Sequence, residues 1–344
     1  MSWHEAWTGG QYSVVRAGGA LVLMLHFAGR MTDAASFAGA VLAALAVAAA
    51  GLFAAGRADR VLALVLAAAL AMSDHGLLGR TGIWYATFWL LGHATLPPAP
   101  FLSLDARART DPGGEWRMPS YFPAAAWALF VGHHVFGSIA ALSAGEWPIA
   151  LVRLPLALAA LAPSTMPAAL AVSLGVELGA WFVAGHADAG VWLLHLLALQ
   201  PAWFPPRENA GTETVFYDGT CALCHGATRF LLSEDREPAR FRLAPLGSEA
   251  FQQRLRREQR EELPDSVVVG TAAGHVLTQS RATAYILDRI GGLWRILAYV
   301  LELLPDSLTD SAYEIVARNR YRWFGRKSQA CPILAGPLRA RFDS

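Results

Sequence analysis

Long apolar blocks dominate the first 205 residues of the chain, and they are the first elements that the hydrophobic pattern predicts. A membrane-spanning helix needs about 20 mostly apolar residues. Seven or eight stretches approach that length, and residues 36–56 contain no charged side chain. The stretch 147–162 is the weakest, because it is short and holds Arg153 and Pro155. The predicted spans are 12–29, 36–56, 60–78, 82–96, 122–143, 147–162, 163–184 and 189–204.

After residue 205 the apolar runs become short and are separated by turns and charged stretches, which is typical of a water-soluble α/β domain. A β-branched and aromatic run at 214–217 predicts a strand, and a turn leads from it into a helical pattern that continues to Leu232. The charged stretch 251–262 predicts a solvated helix. The remaining predictions are strands at 239–246, 267–269 and 275–278 and helices at 280–290 and 293–304.

The distribution of charge supports this division. Of the 55 Lys, Arg, Asp and Glu residues, 19 precede residue 206 and 36 follow it, and the overall charged fraction of 16% is low for a soluble domain, where roughly 25% is usual. We therefore predict an α-helical polytopic membrane domain at 1–205, a linker at 206–213, an α/β domain at 214–335 and a tail at 336–344. The net charge of +1 gives nucleic acid no general electrostatic attraction, so no nucleic-acid partner is expected.

The predicted spans imply an integral membrane protein, which we expect in a bacterial inner membrane with the lipid bilayer as one partner. The first apolar run carries Arg16 and is followed by further apolar runs, so we interpret it as a retained span instead of a cleaved signal peptide. Arginines at 57, 60, 107, 109 and 117 fall in even-numbered loops, which makes those loops cytoplasmic. Eight spans then place the second domain in the cytoplasm, whereas seven place it on the opposite side.

Ionisable residues within or near the predicted spans are functional candidates, because burying them in lipid is costly. The alternative is that the histidines lie at the membrane interface or form hydrogen bonds between helices. His133 and His134 are adjacent and point about 100° apart on a helix, which disfavours their joint ligation of one metal. The candidates are His26, Asp74, His75, His93, His133, His134, Glu177, His186 and His195.

The second domain contains a C-x-x-C sequence directly after its first predicted strand. Asp218 and Gly219 turn the chain, and Cys221 and Cys224 then open the helix. This layout is typical of a thioredoxin-like redox site. The free N–H groups and dipole at a helix start stabilise a thiolate, so we expect Cys221 to be the nucleophile. Cys224 lies one turn further in, and we expect it to be the resolving and more buried thiol.

Three further residues around this pair have two interpretations each. Asp218 can tune the ionisation of the cysteines and can serve as the residue of an Asp-Gly turn and helix cap, and we expect the two roles to overlap. His225 either stabilises a thiolate when it is protonated or is an exposed helical residue. Cys331 is either an exchanging thiol or an unreactive buried one. With only three cysteines, a secreted disulfide scaffold is excluded, and a zinc site would have to add Cys331, His225 or His275 to the pair. We expect neither a metal nor another cofactor.

A proline before a strand is the second feature that a thioredoxin-like site requires. Pro264 and Asp265 precede the predicted strand at 267–269, and a hairpin and a closing helix follow. We predict that the peptide before Pro264 is cis and that Pro264 and Asp265 contact the substrate, because proline lacks an N–H and exposes neighbouring backbone to a substrate strand. The alternative is a trans proline that only ends the charged helix.

The residues of the second domain resemble the DCC family of thiol-disulfide oxidoreductases over about 215–331. The matching residues are Phe216, Tyr217, Asp218, Gly219, Cys221 and Cys224, with Tyr313, Ala317, Arg318, Asn319, Arg320, Tyr321, Phe324, Gly325 and Cys331. The resemblance implies a thioredoxin-like fold and disulfide reductase or oxidase chemistry. The first domain loosely resembles the horizontally transferred transmembrane domain related to vitamin K-dependent carboxylases, from which no catalytic residue is carried over.

The leading hypothesis is therefore a membrane-anchored thiol-disulfide oxidoreductase. It would exchange electrons with protein or small-molecule thiols and disulfides, or with a redox carrier in the lipid. The alternative is a membrane transporter or membrane enzyme whose thioredoxin-like domain is a regulatory redox sensor.

Overall fold

The computed structural model describes residues 6–34, 36–73, 76–184, 189–207, 211–236, 239–327 and 336–343. The chain forms two compact units. The first contains the residues up to Trp7, Tyr12–Asp105 and Arg117–Trp203. The second contains Thr8–Gln11, Ala106–Trp116 and the residues from Phe204 onward.

The first unit is helical. In the described residues, its α-helices follow the order of the predicted apolar stretches. They are α1 Gly9–Thr32, α2 Phe37–Ala54, α3 Asp59–Ala71, α4 Gly79–Ala94, α5 Tyr121–Ser143, α6 Trp147–Ala159, α7 Met166–Ala184 and α8 Ala189–Ala198.

Within the described residues, four of these helices are long and apolar enough to cross a membrane: α1, α2, α5 and residues Met166–Val183 of α7. The predicted span at 60–78 is wrong as one helix, because the N–H and Oγ of Ser73 both donate to the Leu70 carbonyl (3.0 and 2.9 Å) and α3 ends at Ala71. The predicted span at 189–204 is also too long. Helix α8 ends at Ala198, shortly before Pro201, because a proline disfavours helical backbone in the residue that precedes it.

Large apolar side chains lie on the outside of the first unit. Phe37 is 88% exposed, Phe182 is 79% exposed and Val183 is 91% exposed, and Leu42, Leu45 and Val172 of the same helices are more than half exposed. Soluble monomeric proteins rarely expose apolar patches of this extent.

Several of the histidine candidates form hydrogen bonds between helices. The His195 Nδ1–H donates to the Val191 carbonyl (2.8 Å), so its Nε2 accepts from the Ser173 hydroxyl (2.8 Å), and His134 Nε2 lies 3.0 Å from the same hydroxyl. His133 Nδ1 lies 2.8 Å from the Tyr85 hydroxyl. These contacts agree with the interpretation that the histidines form hydrogen bonds between helices. A functional role for these side chains stays a prediction. Asp74, His75 and His186 lie outside the described residues.

The second unit contains a mixed four-stranded sheet in the order β2-β1-β3-β4. Strands β1 and β2 are parallel, whereas β3 runs antiparallel to both β1 and β4. The strands are β1 Glu213–Tyr217, β2 Phe241–Pro245, β3 Val268–Gly270 and β4 Val276–Thr278. The helices are α9 Ala222–Glu234, α10 Glu249–Arg254, α11 Arg257–Glu261, α12 Gln279–Ile290, α13 Leu293–Glu302, α14 Asp306–Phe324 and α15 Gly336–Arg339.

Alternating strand residues bury both faces of this sheet. Val215, Tyr217 and Val269 face a core that includes Leu231 of α9 and Ile286 of α12. Phe216, Ala244 and Val268 face the other way and pack with Leu255. Insertion of Leu255 into this second core explains why the single helix predicted at 251–262 is wrong: the backbone is extended at Leu255, and two short helices, α10 and α11, flank it.

Within the second unit, two arginines hold the segment Ala106–Trp116: Arg229 in α9 and Arg236 after it. A guanidinium nitrogen of Arg229 donates to the carbonyls of Arg107 (3.3 Å) and Arg109 (2.8 Å), and Arg236 donates to the Trp116 carbonyl (2.8 Å). The acceptors are backbone carbonyls, which every residue has, so these contacts could not be predicted from the sequence.

Candidate functional site

The C-x-x-C sequence lies where β1 leads into α9. Asp218, Gly219 and Thr220 form the turn, and Cys221 is the N-cap residue of the helix, with extended backbone. The Cys224 N–H donates to Cys221 Sγ over 3.4 Å, so the sulfur of Cys221 takes the position that a Ser or Asp oxygen holds in an ordinary N-cap. Both cysteines are free thiols. The positive dipole end of α9 therefore lies at Cys221.

The relative burial of the two cysteines is opposite to the prediction. Cys221 is 0% exposed, whereas Cys224 is partly exposed and lines a small pocket. The cause is the segment Gly325–Lys327 after α14, which lies along the cysteine loop. The Ala222 N–H donates to the Gly325 carbonyl (3.2 Å), and the Lys327 N–H donates to the Thr220 carbonyl (2.9 Å). Cys221 and Arg326 pair across this contact as an isolated β-bridge.

The Cys224 thiol is hard to ionise. Burial raises the pKa of Cys224 to about 12, and the neighbouring Cys221 adds to the effect through its hydrogen bond and its electrostatic interaction. Cys224 therefore keeps its proton at neutral pH. That Cys221, at the helix start, is the attacking thiol stays a prediction.

Asp218 is held by four hydrogen bonds. One carboxylate oxygen accepts from the Thr220 N–H and hydroxyl (2.8 Å each), and the other accepts from Arg320 (3.1 Å) and the Tyr321 hydroxyl. Burial opposes ionisation, but the hydrogen bonds from Tyr321, Thr220 and Arg320 outweigh it and lower the pKa of Asp218 to about 2. The turn interpretation of Asp218 agrees with these contacts, whereas the helix-cap interpretation is wrong because Cys221 Sγ occupies the cap.

Arg320 of α14 joins two loops of the site. The same guanidinium nitrogen that contacts Asp218 also lies 2.9 Å from Asp265, and the arginine side chain is 8% exposed. Burial favours the neutral form of Arg320, but its hydrogen bonds to the two carboxylates outweigh that effect and raise the pKa of Arg320 above its usual value. Sequence reasoning identified Arg320 and Tyr321 only as part of a family motif, without a role. The signal that could have found their role is that Arg320 and Tyr321 belong to the late family motif, whose side chains pair with Asp218 of the early motif.

The loop before β3 carries the two predicted substrate-binding residues. Asp265 lines the pocket beside Cys224, with its side chain 75% exposed. Pro264 is exposed and is not among the pocket-lining residues. The Val267 N–H, which also faces this loop, donates to the Tyr313 hydroxyl (2.8 Å). The structure thus brings Asp265 to the cysteine pair, and substrate contact by either residue stays a prediction.

The accessory candidates have separate outcomes. His225 is buried, and its Nε2–H donates to the Gly219 carbonyl (2.8 Å), so its interpretation as an exposed helical residue is wrong. This hydrogen bond holds the Asp-Gly turn. Cys331 lies outside the described residues. His275 is exposed in the turn between β3 and β4. In the described part of the chain, no three His, Cys, Asp or Glu side chains come close enough together to hold a metal ion.

Comparisons with known proteins point to one family. The model of the DCC1-like thiol-disulfide oxidoreductase family matches residues 215–326. The chain is 28% identical to the uncharacterized protein YuxK of Bacillus subtilis over 135 residues, which are 39% of this chain and 96% of that protein. It is 34% identical to a chloroplastic DCC family protein of Arabidopsis thaliana over 126 residues, which are 37% of this chain and 72% of that protein.

No solved structure gives a significant match. The family match lies within the second unit, and the matched range contains both cysteines, Asp218, Arg320 and Tyr321. Through this unit, the chain belongs to the DCC family of thiol-disulfide oxidoreductases.

Proposed function

We propose that the protein is a membrane-anchored thiol-disulfide oxidoreductase that works through Cys221 and Cys224. The observation that carries the proposal is the hydrogen bond from the Cys224 N–H to Cys221 Sγ at the start of α9, beside a pocket that opens at Cys224. The sheet order β2-β1-β3-β4, with the cysteine pair at the start of the helix that follows the first strand, supports a thioredoxin-like fold.

The chemistry is a two-step exchange between the dithiol and a disulfide substrate. The Cys221 thiolate attacks one substrate sulfur, forms a mixed disulfide and expels the other half as a thiolate. Cys224 then loses its proton and attacks Cys221 Sγ, which closes the intramolecular disulfide and expels the second half. Two electrons pass from the dithiol to the substrate, and the two protons that the cysteines lose go to the released thiols. An external thiol or dithiol returns the pair to its reduced state.

The Gly325–Lys327 segment sets a condition on the first step. Because Cys221 is fully buried beneath it, attack on a substrate requires that this segment move away from the sulfur. Asp218 remains ionised at neutral pH and bound to Arg320, so its role in the exchange is to hold the loop and set the local charge and not to transfer a proton.

The first unit supplies the membrane anchor in this proposal. Four long apolar helices and their outward-facing Phe and Val side chains support insertion into a bilayer. An even number of spans, with the arginines of the even loops in the cytoplasm, places the cysteine pair in the cytoplasm. Labelling Cys221 in intact cells with a membrane-impermeant maleimide tests this side, and labelling from outside would contradict it.

Exchange by the purified full chain in detergent tests the function. The wild type should catalyse reduction of insulin by dithiothreitol, and Cys221→Ser and Cys224→Ser should each lose that activity. Cys331→Ser serves as the third-cysteine variant: retained activity assigns the chemistry to the C-x-x-C pair, and loss makes Cys331 a third participant. No activity in the wild type would refute the proposal and favour a regulatory redox sensor.

A further inference from the structure

The pocket beside Cys224 has a volume of about 70 Å³ and an almost wholly apolar wall. It lies between three segments: the start of α9, the loop before β3, and α14. Leu223 comes from the first, Val267 from the second, and Tyr313, Val316 and Ala317 from the third. The sulfur-bearing Cys224 is part of this wall, so any group held in the pocket lies next to a reacting residue of the proposed exchange.

The polar groups around the pocket are already paired with one another. Arg320 binds both Asp218 and Asp265, and the Tyr313 hydroxyl accepts the Val267 N–H. The Ser266 hydroxyl donates to the Val267 carbonyl (3.0 Å). A ligand that entered the pocket would therefore gain apolar contact and few hydrogen bonds.

The charge at the pocket disfavours an anion. Among the residues that line the pocket, two carboxylates, Asp218 and Asp265, stand against one guanidinium, Arg320, so the charged lining residues together carry a net negative charge. Asp265 is the more exposed carboxylate, with 75% of its side chain open to solvent, and it lies at the rim. An anionic thiol compound approaching Cys224 meets this charge first.

We propose that this pocket binds an uncharged aliphatic group next to the sulfur of the substrate and thereby selects apolar disulfides over anionic ones. The inference rests on the proposed exchange function and adds its substrate class. A cavity of about 150 Å³ binds a benzene ring, so a pocket of about half that volume fits a branched or straight group of three or four carbons. In the exchange, this group belongs to the half of the substrate that forms the mixed disulfide and is expelled when Cys224 attacks.

The test is a series of alkyl 2-pyridyl disulfides reacted with the reduced full chain in detergent, followed by the absorbance of released pyridine-2-thione. Rates are divided by those of free dithiothreitol in the same detergent, which corrects for partitioning into micelles. The normalised rate should rise about fourfold for each added methylene up to three or four carbons and then level off. The probe made from 3-mercaptopropionate should react about threefold more slowly than its neutral amide, and Asp265→Asn should reduce that difference.

A pocket-filling variant and a matched control locate the effect. Ala317→Leu should abolish the dependence on chain length, whereas Ala312→Leu, an exposed alanine on the same helix, should keep it. If the wild type reacts at the same normalised rate with every chain length, or as fast with the anionic probe as with its amide, the pocket assignment is wrong while the exchange function stands. If no probe reacts at all, the proposed function fails as well.

Discussion

Replacement of Arg320 by methionine should loosen the cysteine loop. The guanidinium contacts Asp218 at 3.1 Å and Asp265 at 2.9 Å, and the side chain is 8% exposed. A hydrogen bond to a charged group contributes about 1.5 to 3 kcal/mol when it is poorly solvated, and Asp218, with 18% of its side chain exposed, fits that range. The Asp265 contact is largely exposed and adds less than about 1 kcal/mol. We therefore expect a loss of about 2 to 3 kcal/mol in local stability, since methionine keeps the aliphatic packing of the arginine stem.

Hydrogen–deuterium exchange of the full chain, read on peptides that cover 214–221 and 262–268, measures this loss. Local opening should become about 30- to 150-fold more frequent in Arg320→Met, because about 1.4 kcal/mol is tenfold in an equilibrium. Arg318→Met is the matched control, because Arg318 lies on the same helix and pairs with Glu314 while 76% exposed. Its effect should stay below about threefold. Equal hydrogen–deuterium exchange in Arg320→Met and Arg318→Met would show that the contacts of Arg320 do not stabilise the cysteine loop.

The same network gives a pH dependence whose sign is fixed by Asp218. Its pKa is lowered from 3.8 to about 2 in the folded protein, because hydrogen bonds from Tyr321, Thr220 and Arg320 outweigh the opposing effect of burial. A carboxylate with a lowered pKa contributes stability that is complete above the unfolded value and is lost as pH falls through the folded value. The wild-type loop should thus lose up to about 2 kcal/mol between pH 4 and pH 2, allowing for solvent screening. Arg320→Met should lose less over the same window.

Two further predictions concern other parts of the second unit. Glu213 and Arg289 form an ion pair with side chains 0% and 2% exposed, so Glu213→Gln should destabilise β1 by about 3 to 5 kcal/mol in the same exchange measurement. The exposed Glu261→Gln should change stability by less than about 0.5 kcal/mol. Lys327→Pro removes the N–H that fastens the covering segment and should speed iodoacetamide modification of Cys221 about two- to tenfold. Lys327→Ala keeps that N–H and should react as the wild type does, and equal rates in both variants would contradict the covering role.

The elements with strong local signals could be predicted from the sequence. The C-x-x-C helix, the strand before it and the elements from β2 to α13, apart from the helix at 251–262, follow from short patterns of turn, β-branched and apolar residues, whereas α14 was not predicted. The break at Leu255 could not, because a helical run of charged residues gives no sign that one leucine must reach the core between Phe216 and Val268. The end of α3 at Ala71 was likewise hidden within an apolar run, and hydrogen bonds from Ser73 end it.

The parts of the site that the sequence missed depend on contacts between distant residues. Asp218 and Arg320 are 102 positions apart, and Cys221 is covered by a segment that follows α14. A helix-start position favours a thiolate, but it says nothing about what lies over the sulfur. For this reason the sequence predicts only which cysteine attacks first, which stays a prediction, and the relative burial of the two cysteines could not be predicted.

Redox titration of the full chain, followed by peptide mass mapping, tests whether Cys221 and Cys224 form the redox-active pair. The chain is equilibrated with mixtures of reduced and oxidised dithiothreitol, trapped with an alkylating reagent and digested. We expect one reversible two-electron transition in which Cys221 and Cys224 become linked to each other and lose alkylation together, in the wild type and in Cys331→Ser alike. A pair that stays fully alkylated at every ratio, or that becomes oxidised only through a bond to Cys331, would contradict this expectation.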